Sequence, residues 1–305
     1  MHTVAITGAT GFVGNFVANY LESKGYKVFK FGRKNKKDIL QWDIAGGIYP
    51  EFIKIDYVVH CAASVDDWAS YTESYKVNVK GTKNVLQSFP EASKFIYISS
   101  ASVYDAFCSD IIVTENKCIG GRLLNAYSKT KLLGEKEVEK SNILSRVILR
   151  PHIIYGPGDT TIAPRIKNGI KFGYFPIPGN GKNRISFTHV ENLAQAIWQS
   201  IKLSKDGFSV YNITDAEPIA FVKALEEVKT LNNLKFEELF IPRKLSLILG
   251  RVFEFVYIFL RIKKSPLLTR YIVDQMSSNR IFDISKAKQE LQYNPTRNIK
   301  HDFLL

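Results

Sequence analysis

Tyr127 and Lys131 are the two ends of a YxxxK sequence. The types and the spacing of these two residues suggest acid–base chemistry. On a helix, residues four positions apart lie on the same face. A free phenol, with a pKa of about 10, is a poor base at neutral pH, but a nearby cation stabilises the phenolate. The pair therefore predicts an acid–base site in which Lys131 lowers the pKa of Tyr127.

A serine-rich segment upstream, Ser99-Ser100-Ala101-Ser102, follows a predicted strand. A hydroxyl at this point can hydrogen-bond a carbonyl or alcohol oxygen that is held beside the tyrosine. A YxxxK pair alone is common by chance, so its meaning depends on the elements that would position it.

Three glycines, Gly8, Gly11 and Gly14, lie between the first predicted strand and the first predicted helix. Glycines in this arrangement allow a tight turn, a close approach of a pyrophosphate to the backbone, and close packing of helix on strand. The helix N-terminus then offers free N–H groups and the positive end of its dipole to phosphates. The motif predicts a dinucleotide site.

The second predicted strand ends in Phe31-Gly32-Arg33-Lys34, without the acidic residue that usually binds the ribose of NAD. Arg33 is well placed to pair with a 2′-phosphate, and Lys34, Lys36 and Lys37 add positive charge. We therefore expect NADP(H) to be preferred, with NAD(H) possible. A solvated basic loop is the alternative interpretation.

The elements needed to position these residues follow from the alternation of short apolar runs with helix-length segments. This alternation predicts an α/β fold with a Rossmann-like, doubly wound parallel sheet covered on both faces. The predicted strands are 3–7, 27–31, 57–60, 94–99 and 146–149, and the predicted helices are 12–24, 75–89, 126–140, 190–202, 221–232 and 245–260. We expect a dinucleotide-binding domain over 1–155, to which some later segments return, and a smaller, interleaved substrate-binding lobe formed mostly by 156–305.

The length, composition and net charge of the chain limit the functional classes to which it can belong. The chain has 305 residues, 45% of them hydrophobic, and a formal net charge of +13. Positive charge attracts anions of every kind, but no nucleic-acid motif accompanies it, so no nucleic-acid partner is predicted. Neither a secretory leader nor a long apolar run is present, which favours a cytoplasmic protein. The spacing of Cys61, Cys108 and Cys118 predicts free thiols and no metal site.

Together these motifs resemble the extended short-chain dehydrogenases/reductases, which include nucleotide-sugar epimerases and 3β-hydroxysteroid dehydrogenases. Further segments carry the resemblance: Asp43-Ile44, His60-Cys61-Ala62-Ala63, the asparagine Asn78, and the run from Arg150 to Gly158. The resemblance implies that Ser100, Tyr127, Lys131 and Asn78 are catalytic. It implies a cofactor site formed by Gly8, Thr10, Gly11, Phe12, Val13, Gly14, Arg33, Asp43, Ile44, Cys61, Ala62, Ala63, Tyr127, Lys131, Pro151 and Ile153.

Two later segments are similar to the 3β-hydroxysteroid dehydrogenase-like branch. Residues 181–192 resemble a GKNxxDFTxVEN sequence, with Ser186 in place of the usual aspartate. The tail from Pro266 to Pro295 follows the order of lipid-type reductases, with Gln292 where glycine is usual. This branch implies a hydrophobic substrate.

Arg184 supports a second interpretation, because nucleotide-sugar epimerases use an arginine near this point to bind the substrate diphosphate. It lies one residue earlier, relative to Phe187, than in those enzymes. Ser102 and Arg184 are the predicted substrate contacts.

Residues 245–260 are mostly apolar, with basic residues on both flanks up to 264. This content is compatible with a core or dimer-interface helix, a lid over an apolar pocket, or a peripheral membrane contact. The family resemblance also suggests a homodimer through the predicted helices 75–89 and 126–140.

We therefore hypothesise an NADP(H)-dependent oxidoreductase that interconverts a hydroxyl and a keto group on a small-molecule, sterol-like or acyl-type substrate. In the reductive direction, Tyr127 would protonate the oxygen, Ser100 would hold it, and Lys131 would anchor the ribose. The alternatives are a nucleotide-sugar epimerase or reductase and, with less support, a non-catalytic dinucleotide sensor.

Overall fold

The computed structural model describes residues 1–108, 111–262 and 264–299; the predicted second lobe's last residues, 300–305, lie outside these ranges, as does Lys263 of the apolar segment. The strands of the described residues are β1 (Thr3–Thr7), β2 (Lys27–Gly32), β3 (Leu40–Gln41), β4 (Tyr57–His60), β5 (Lys94–Ile98), β6 (Ile112–Val113), β7 (Ser145–Pro151), β8 (Ile154–Tyr155), β9 (Tyr174–Pro178), β10 (Arg184–Ile185), β11 (Thr188–His189), β12 (Gly207–Ile213), β13 (Ile219–Ala220), β14 (Glu237–Ile241) and β15 (Ile281–Phe282).

The α-helices in the same part of the chain are α1 (Phe12–Ser23), α2 (Tyr71–Tyr75), α3 (Thr82–Ser88), α4 (Ala126–Glu139), α5 (Ile162–Gly169), α6 (Val190–Lys202), α7 (Phe221–Leu231), α8 (Arg243–Phe259), α9 (Arg270–Ser277) and α10 (Ser285–Leu291). A π-helical segment, Lys76–Gly81, joins α2 to α3, and a 3₁₀ turn, Ala101–Val103, follows β5. The predicted helix 75–89 is thus the later part of a longer, irregular one that begins at Tyr71.

The central sheet has seven strands in the order β12-β7-β5-β4-β1-β2-β3, and all neighbouring strands in it are parallel. The chain builds outwards from β1 in one direction through β2 and β3, then returns to the other side of β1 to form β4. The strand order therefore reverses between β1 and β4, which is where open parallel sheets bind ligands at their carboxyl ends. The predicted Rossmann-like α/β fold is confirmed.

Helices cover both faces of this sheet. On one face, α1, α6 and α10 bury an apolar cluster that includes Val17, Leu193 and Ala287 against the strands. On the other face, α3 and α4 bury a second cluster around Val85 and Val138. Strands buried on both sides explain why the strand segments of the sequence are apolar runs instead of alternating patterns.

The second lobe is built from small elements above the carboxyl end of the sheet. Strands β9 and β14 pair in parallel, β10 pairs with β13 in antiparallel fashion, and α5, α7, α8 and α9 complete the lobe. Strand β12 and helices α6 and α10, which follow residue 156, return to the central sheet and its faces. Gln292 ends α10 with a φ of +56°, a conformation that favours the glycine expected at this position.

The prediction of three free thiols is wrong for two of the cysteines. Cys108 and Cys118 form a disulfide, and Cys61 does not take part in it. Backbone contacts bring the two cysteine segments together: Asp105 N donates to Cys118 O at 2.7 Å, and Tyr104 pairs with Ile119. A pairing made by this loop geometry leaves no spacing signature in the sequence.

Candidate active site

A cleft of about 2130 Å³ lies between the carboxyl edge of the sheet and the second lobe. Sixteen of the residues proposed from sequence line it: Gly8, Thr10, Gly11, Phe12, Val13, Gly14, Arg33, Asp43, Ile44, Cys61, Ala62, Ala63, Ser100, Tyr127, Pro151 and Ile153. Residues spread over the first half of the chain therefore meet in one cavity.

The turn between β1 and α1 packs so closely that side chains are excluded at Gly8 in the turn and at Gly14 in the first turn of α1. Gly8 has a φ of +72°, and a Cβ there would lie 2.8 Å from the Ala62 Cα. A Cβ at Gly14 would collide with the Gly8 carbonyl oxygen, so the helix rests directly on the turn. Gly11 precedes α1 without a capping side chain, which leaves the N–H groups of the first helical turn for an anion. This backbone fits a dinucleotide pyrophosphate.

His60, the buried first residue of the segment His60-Cys61-Ala62-Ala63, supports this turn. The Thr7 hydroxyl and His60 Nδ1 are 2.6 Å apart, and His60 Nε2 is 3.0 Å from the Thr82 hydroxyl. Burial, with a smaller effect of Lys131, lowers the pKa of His60 to about 3, so the ring is neutral. Ala62 N also donates to the Thr7 hydroxyl, and this fixes the loop after β4 beside Gly8.

The far end of the cofactor half carries Arg33 and Asp43. Arg33 is exposed and follows β2, so its guanidinium is available to a ligand at the cleft. Asp43 Oδ1 accepts a hydrogen bond from Ala45 N, and Asn84 Nδ2 donates to the Ile44 carbonyl at 2.7 Å. Basic and acidic side chains are therefore both present at this end.

Tyr127 lies in the first turn of α4, whose start is fixed by Asn125: the Asn125 Oδ1 accepts from Ser128 N at 2.9 Å. Burial raises the pKa of Tyr127, and a hydrogen bond with the Ser100 side chain opposes this shift. Ser100 and Tyr127 thus form the predicted hydroxyl pair at the wall of the cleft.

Lys131 lies one turn further along α4 and is buried behind Tyr127. Its Nζ donates to the Ile98 carbonyl at 2.6 Å and lies 4.0 Å from the centre of the Tyr97 ring. Burial lowers the pKa of Lys131 to about 7, against the opposing effects of Glu135 and Cys61. In this arrangement the ammonium is directed at the backbone, and the pKa of Tyr127 is raised by burial instead of lowered as the sequence suggested.

The carboxylate of Glu135, one further turn along α4, is a residue that the sequence reasoning missed. It accepts from Ser99 Oγ at 2.5 Å and from the Arg150 guanidinium at 2.7 and 2.9 Å, and all three residues are buried. Arg150 also donates to the Tyr104 hydroxyl and to the Glu115 carbonyl. This network ties α4 to Ser99, between the end of β5 and Ser100, and to Arg150, next to Pro151 at the end of β7.

Asn78 occupies the π-helical segment and is buried behind the cleft. Its Oδ1 accepts from Ser64 N at 2.8 Å, while its Nδ2 donates to the Ser64 carbonyl and to the Thr130 hydroxyl. The amide therefore joins the loop after β4 to α4. π-Helical turns occur often at functional sites, and here the wide turn presents Asn78 to both segments.

The structure does not bring the two predicted substrate contacts into the cleft. Arg184 lies in the β10–β13 pair, and its guanidinium donates outward to the Pro218 carbonyl at 2.9 Å. Ser102 N donates to Ser100 Oγ within the 3₁₀ turn, which places Ser102 at a separate small pocket near Tyr104 and Ser128. In both cases a hydrogen bond within the local segment holds the residue outside the cleft lining. Their role as substrate contacts stays a prediction.

The substrate half of the cleft is built instead from segments without a sequence motif. Asp67 and Arg165 form an ion pair through two contacts of 2.7 and 3.2 Å. The pKa of Tyr271, on α9, is raised, and the charges of the nearby Tyr127, Asp67 and Arg165 affect this shift. Burial is the largest cause of that shift. The Trp68 ring packs edge-to-face on Tyr257, and its Nε1 donates to the Ile262 carbonyl. Contacts between residues so distant in sequence leave no local signal.

The sequence matches the NAD dependent epimerase/dehydratase family over residues 4–214. The chain belongs to this family. Together with the cleft geometry, this makes it an NAD(P)-dependent enzyme of the extended short-chain dehydrogenase/reductase type.

Two relatives indicate the branch. The chain is 28% identical to a 2-alkyl-3-oxoalkanoate reductase of Shewanella oneidensis, over 97% of this chain and 83% of the relative. It is 32% identical to the human sterol-4-alpha-carboxylate 3-dehydrogenase, decarboxylating, over 78% of this chain and 68% of the relative. The predicted likeness to the 3β-hydroxysteroid dehydrogenase-like branch is confirmed.

Solved structures confirm the fold. MoeE5 in complex with UDP-glucuronic acid and NAD aligns with 99% of this chain and 96% of its own, with a TM-score of 0.75 and 21% identity. RMD from Pseudomonas aeruginosa complexed with NADPH aligns with 99% of this chain and 97% of its own, with a TM-score of 0.71 and 18% identity.

The lowered pKa of Lys131 predicts a specific pH dependence of stability. Unfolding restores the usual pKa of 10.5, so between about pH 7 and pH 10 the unfolded chain binds a proton that the folded chain does not. The contribution of Lys131 to the free energy of unfolding therefore rises with pH in this window. Relative to Lys131→Met, the unfolding free energy of the cofactor-free wild type should increase by about 2 kcal/mol between about pH 7 and pH 9.

Urea denaturation of both proteins at several pH values measures this difference. Lys129→Met, which removes an exposed lysine from the same helix, is the control and should follow the wild type at every pH. A constant difference between wild type and Lys131→Met would mean that Lys131 is protonated when buried.

Proposed function

We propose that this protein is an NADP(H)-dependent oxidoreductase that interconverts a hydroxyl and a keto group on a hydrophobic carboxylic acid. The observation that carries the proposal is the position of the Ser100–Tyr127 pair at the wall of a cleft whose one half fits a dinucleotide and whose other half is largely apolar. The bound nicotinamide would supply or accept the hydride at the substrate carbon. In the reductive direction, Tyr127 protonates the oxygen and Ser100 holds it by a hydrogen bond.

The shape and lining of the substrate half support an apolar substrate body. Helix α8 and the segment after it contribute Tyr257, Ile258, Ile262 and Leu268 to this half, and further apolar residues of the lining are Trp68, Phe172, Phe175, Leu225 and Met276. Large apolar walls bind ligands by removing hydrocarbon from water and need few polar contacts. Arg184, the residue expected to bind the diphosphate of a nucleotide-sugar, donates to the Pro218 carbonyl and does not line the cleft.

The names of the relatives suggest a carboxylate on the substrate. A 2-alkyl-3-oxoalkanoate carries its keto group on the carbon β to the carboxylate, and a sterol 4α-carboxylate carries its 3-hydroxyl in the same relation. We propose the same relation for this enzyme's substrate. Arg165 is a candidate partner for the carboxylate, since its exposed guanidinium lines the cleft near Tyr271 and two contacts with Asp67 hold it in place.

The cofactor preference follows from the basic loop after β2. Arg33 lines the cleft, and no carboxylate follows β2 directly in the segment from Arg33 to Lys37. We propose that Arg33 binds the 2′-phosphate of NADP(H) and that Lys131 and Tyr127 hold the nicotinamide ribose. Cytoplasmic location and dimer formation through the helices around Asn78 and Tyr127 stay predictions.

The substrate assignment predicts which compounds support cofactor oxidation. Long-chain 2-alkyl-3-oxo acids should oxidise NADPH, and their methyl esters should show a KM at least about tenfold higher, since they lack the charge that Arg165 would pair with. The absorbance of NADPH measures turnover. The ketones that form when these 3-oxo acids decarboxylate spontaneously are the controls. Conversion of a UDP-sugar without net cofactor oxidation would instead support the epimerase alternative.

The role of Arg33 predicts a selective loss of NADPH affinity. Arg33→Ala should bind NADPH about tenfold more weakly, because it lacks the charged hydrogen bonds to the 2′-phosphate, and should bind NADH unchanged. Fluorescence titration with both cofactors measures the two affinities. Lys37→Ala, a neutralisation in the same loop outside the cleft lining, is the matched control. An equal loss for both cofactors would contradict the assignment.

A further inference from the structure

Helix α8 exposes its apolar side. Ile248, Val252, Phe255 and Phe259 follow one another at spacings of four, three and four residues, so they form one stripe along the helix. Their exposed fractions are 61%, 49%, 68% and 75%, and the rings of Phe255 and Phe259 stack with centroids 6.2 Å apart. Leu260 and Leu267, both exposed, extend this stripe beyond the helix. We refer to these six residues as the apolar ridge.

The opposite side of α8 is already used for packing. Ser246 and Gly250 are buried, and a Cβ at Gly250 would lie 3.1 Å from the Arg270 backbone nitrogen. Glu254 accepts hydrogen bonds from Arg270 N and Nε, both at 2.7 Å. The orientation of the helix is therefore fixed by its small and polar residues, and the ridge is left facing outward.

The charge around the ridge is positive. Lys244 and Arg251, seven residues apart on the same side of α8, are exposed beside the stripe, and Arg261 and Lys264 are exposed at its end. Glu254 is the one acidic residue in the sequence from Arg243 to Thr269, and its carboxylate is directed to Arg270. An apolar stripe bordered by cations is complementary to a surface in which a hydrocarbon layer lies beneath a layer of anionic groups.

The ridge is also continuous with the cleft. Ile258, Ile262 and Leu267 are exposed on the outer surface and line the cavity as well. An apolar molecule could therefore pass from a surface that covers the ridge into the cleft without crossing water. A single exposed leucine needs no explanation, but a contiguous apolar surface of this kind marks an interaction site.

We propose that the apolar ridge docks on the surface of an anionic lipid bilayer, with Lys244, Arg251, Arg261 and Lys264 at the level of the headgroups. This proposal goes beyond the reaction and holds whatever substrate is used. A second copy of the chain fits less well, because two ridges in contact would bring their basic borders together. The contact lies in the interface, and none of the described helices is long and apolar enough to cross a membrane.

Vesicle flotation of the full chain tests the proposal. The wild type should float with phosphatidylcholine vesicles that contain phosphatidylglycerol, should float much less with pure phosphatidylcholine, and should be released by high salt. Phe255→Ser combined with Phe259→Ser should weaken partitioning at least about tenfold, because two large side chains no longer enter the hydrocarbon boundary. Lys244→Gln combined with Arg251→Gln should weaken it about tenfold.

Matched controls distinguish the effect of the ridge residues from the effect of removing any exposed aromatic ring or positive charge. Phe52→Ser removes an exposed phenylalanine elsewhere, and Lys182→Gln combined with Lys235→Gln removes two exposed lysines of the second lobe. Both controls should float like the wild type. Failure of the wild type to float, or equal losses in ridge and control variants, would overturn the proposal. So would a dimer, seen by light scattering, that Phe255→Ser and Phe259→Ser dissociate.

Discussion

The Glu135 carboxylate is the interaction on which the geometry of the active site depends. It is buried on α4, one turn from Lys131 and two turns from Tyr127, and it holds the Ser99 hydroxyl and the Arg150 guanidinium at once. These partners lie at the ends of β5 and β7. Breaking a buried ion pair of this kind by removing one partner is strongly destabilising, since it leaves an uncompensated charge. The contact therefore fixes the positions of the Tyr127 phenol, the Lys131 ammonium and the Ser100 hydroxyl relative to one another.

The two halves of the cleft are built differently. In the cofactor half, backbone contacts determine the shape: Gly14 rests on Gly8, and the Thr7–His60 bond places the loop that carries Ala62. In the substrate half, side chains from α5, α8 and α9 determine it. A rigid backbone site for a common cofactor, combined with a second lobe whose side chains vary, is compatible with relatives as different as a sterol dehydrogenase and an oxoalkanoate reductase.

How much the sequence could predict depends on how local the determining contacts are. The strands of the Rossmann sheet, helix α1 and the positions of Tyr127 and Lys131 were predictable, because glycine spacing, apolar periodicity and the i, i+4 rule act within a few residues. The Asp67–Arg165 pair and the contacts of Tyr271 join segments far apart in the chain, so no pattern announces them. Arg184 and Ser102 do not line the cleft, because hydrogen bonds within their own segments hold them elsewhere, and Cys108 and Cys118 pair through a loop whose closure the sequence does not show.

The central claim is that Tyr127 transfers the proton in a hydroxyl–keto interconversion. Stopped-flow or steady-state NADPH oxidation by Tyr127→Phe, with NADPH affinity measured on the same protein, tests it most directly. We expect a rate reduced by roughly 10²–10⁴ with nearly unchanged NADPH affinity, because the phenyl ring preserves the packing and lacks the acidic hydroxyl. Tyr71→Phe, at an exposed tyrosine outside the cleft lining, should retain full activity. Full activity of Tyr127→Phe would contradict the role of Tyr127 as the proton donor.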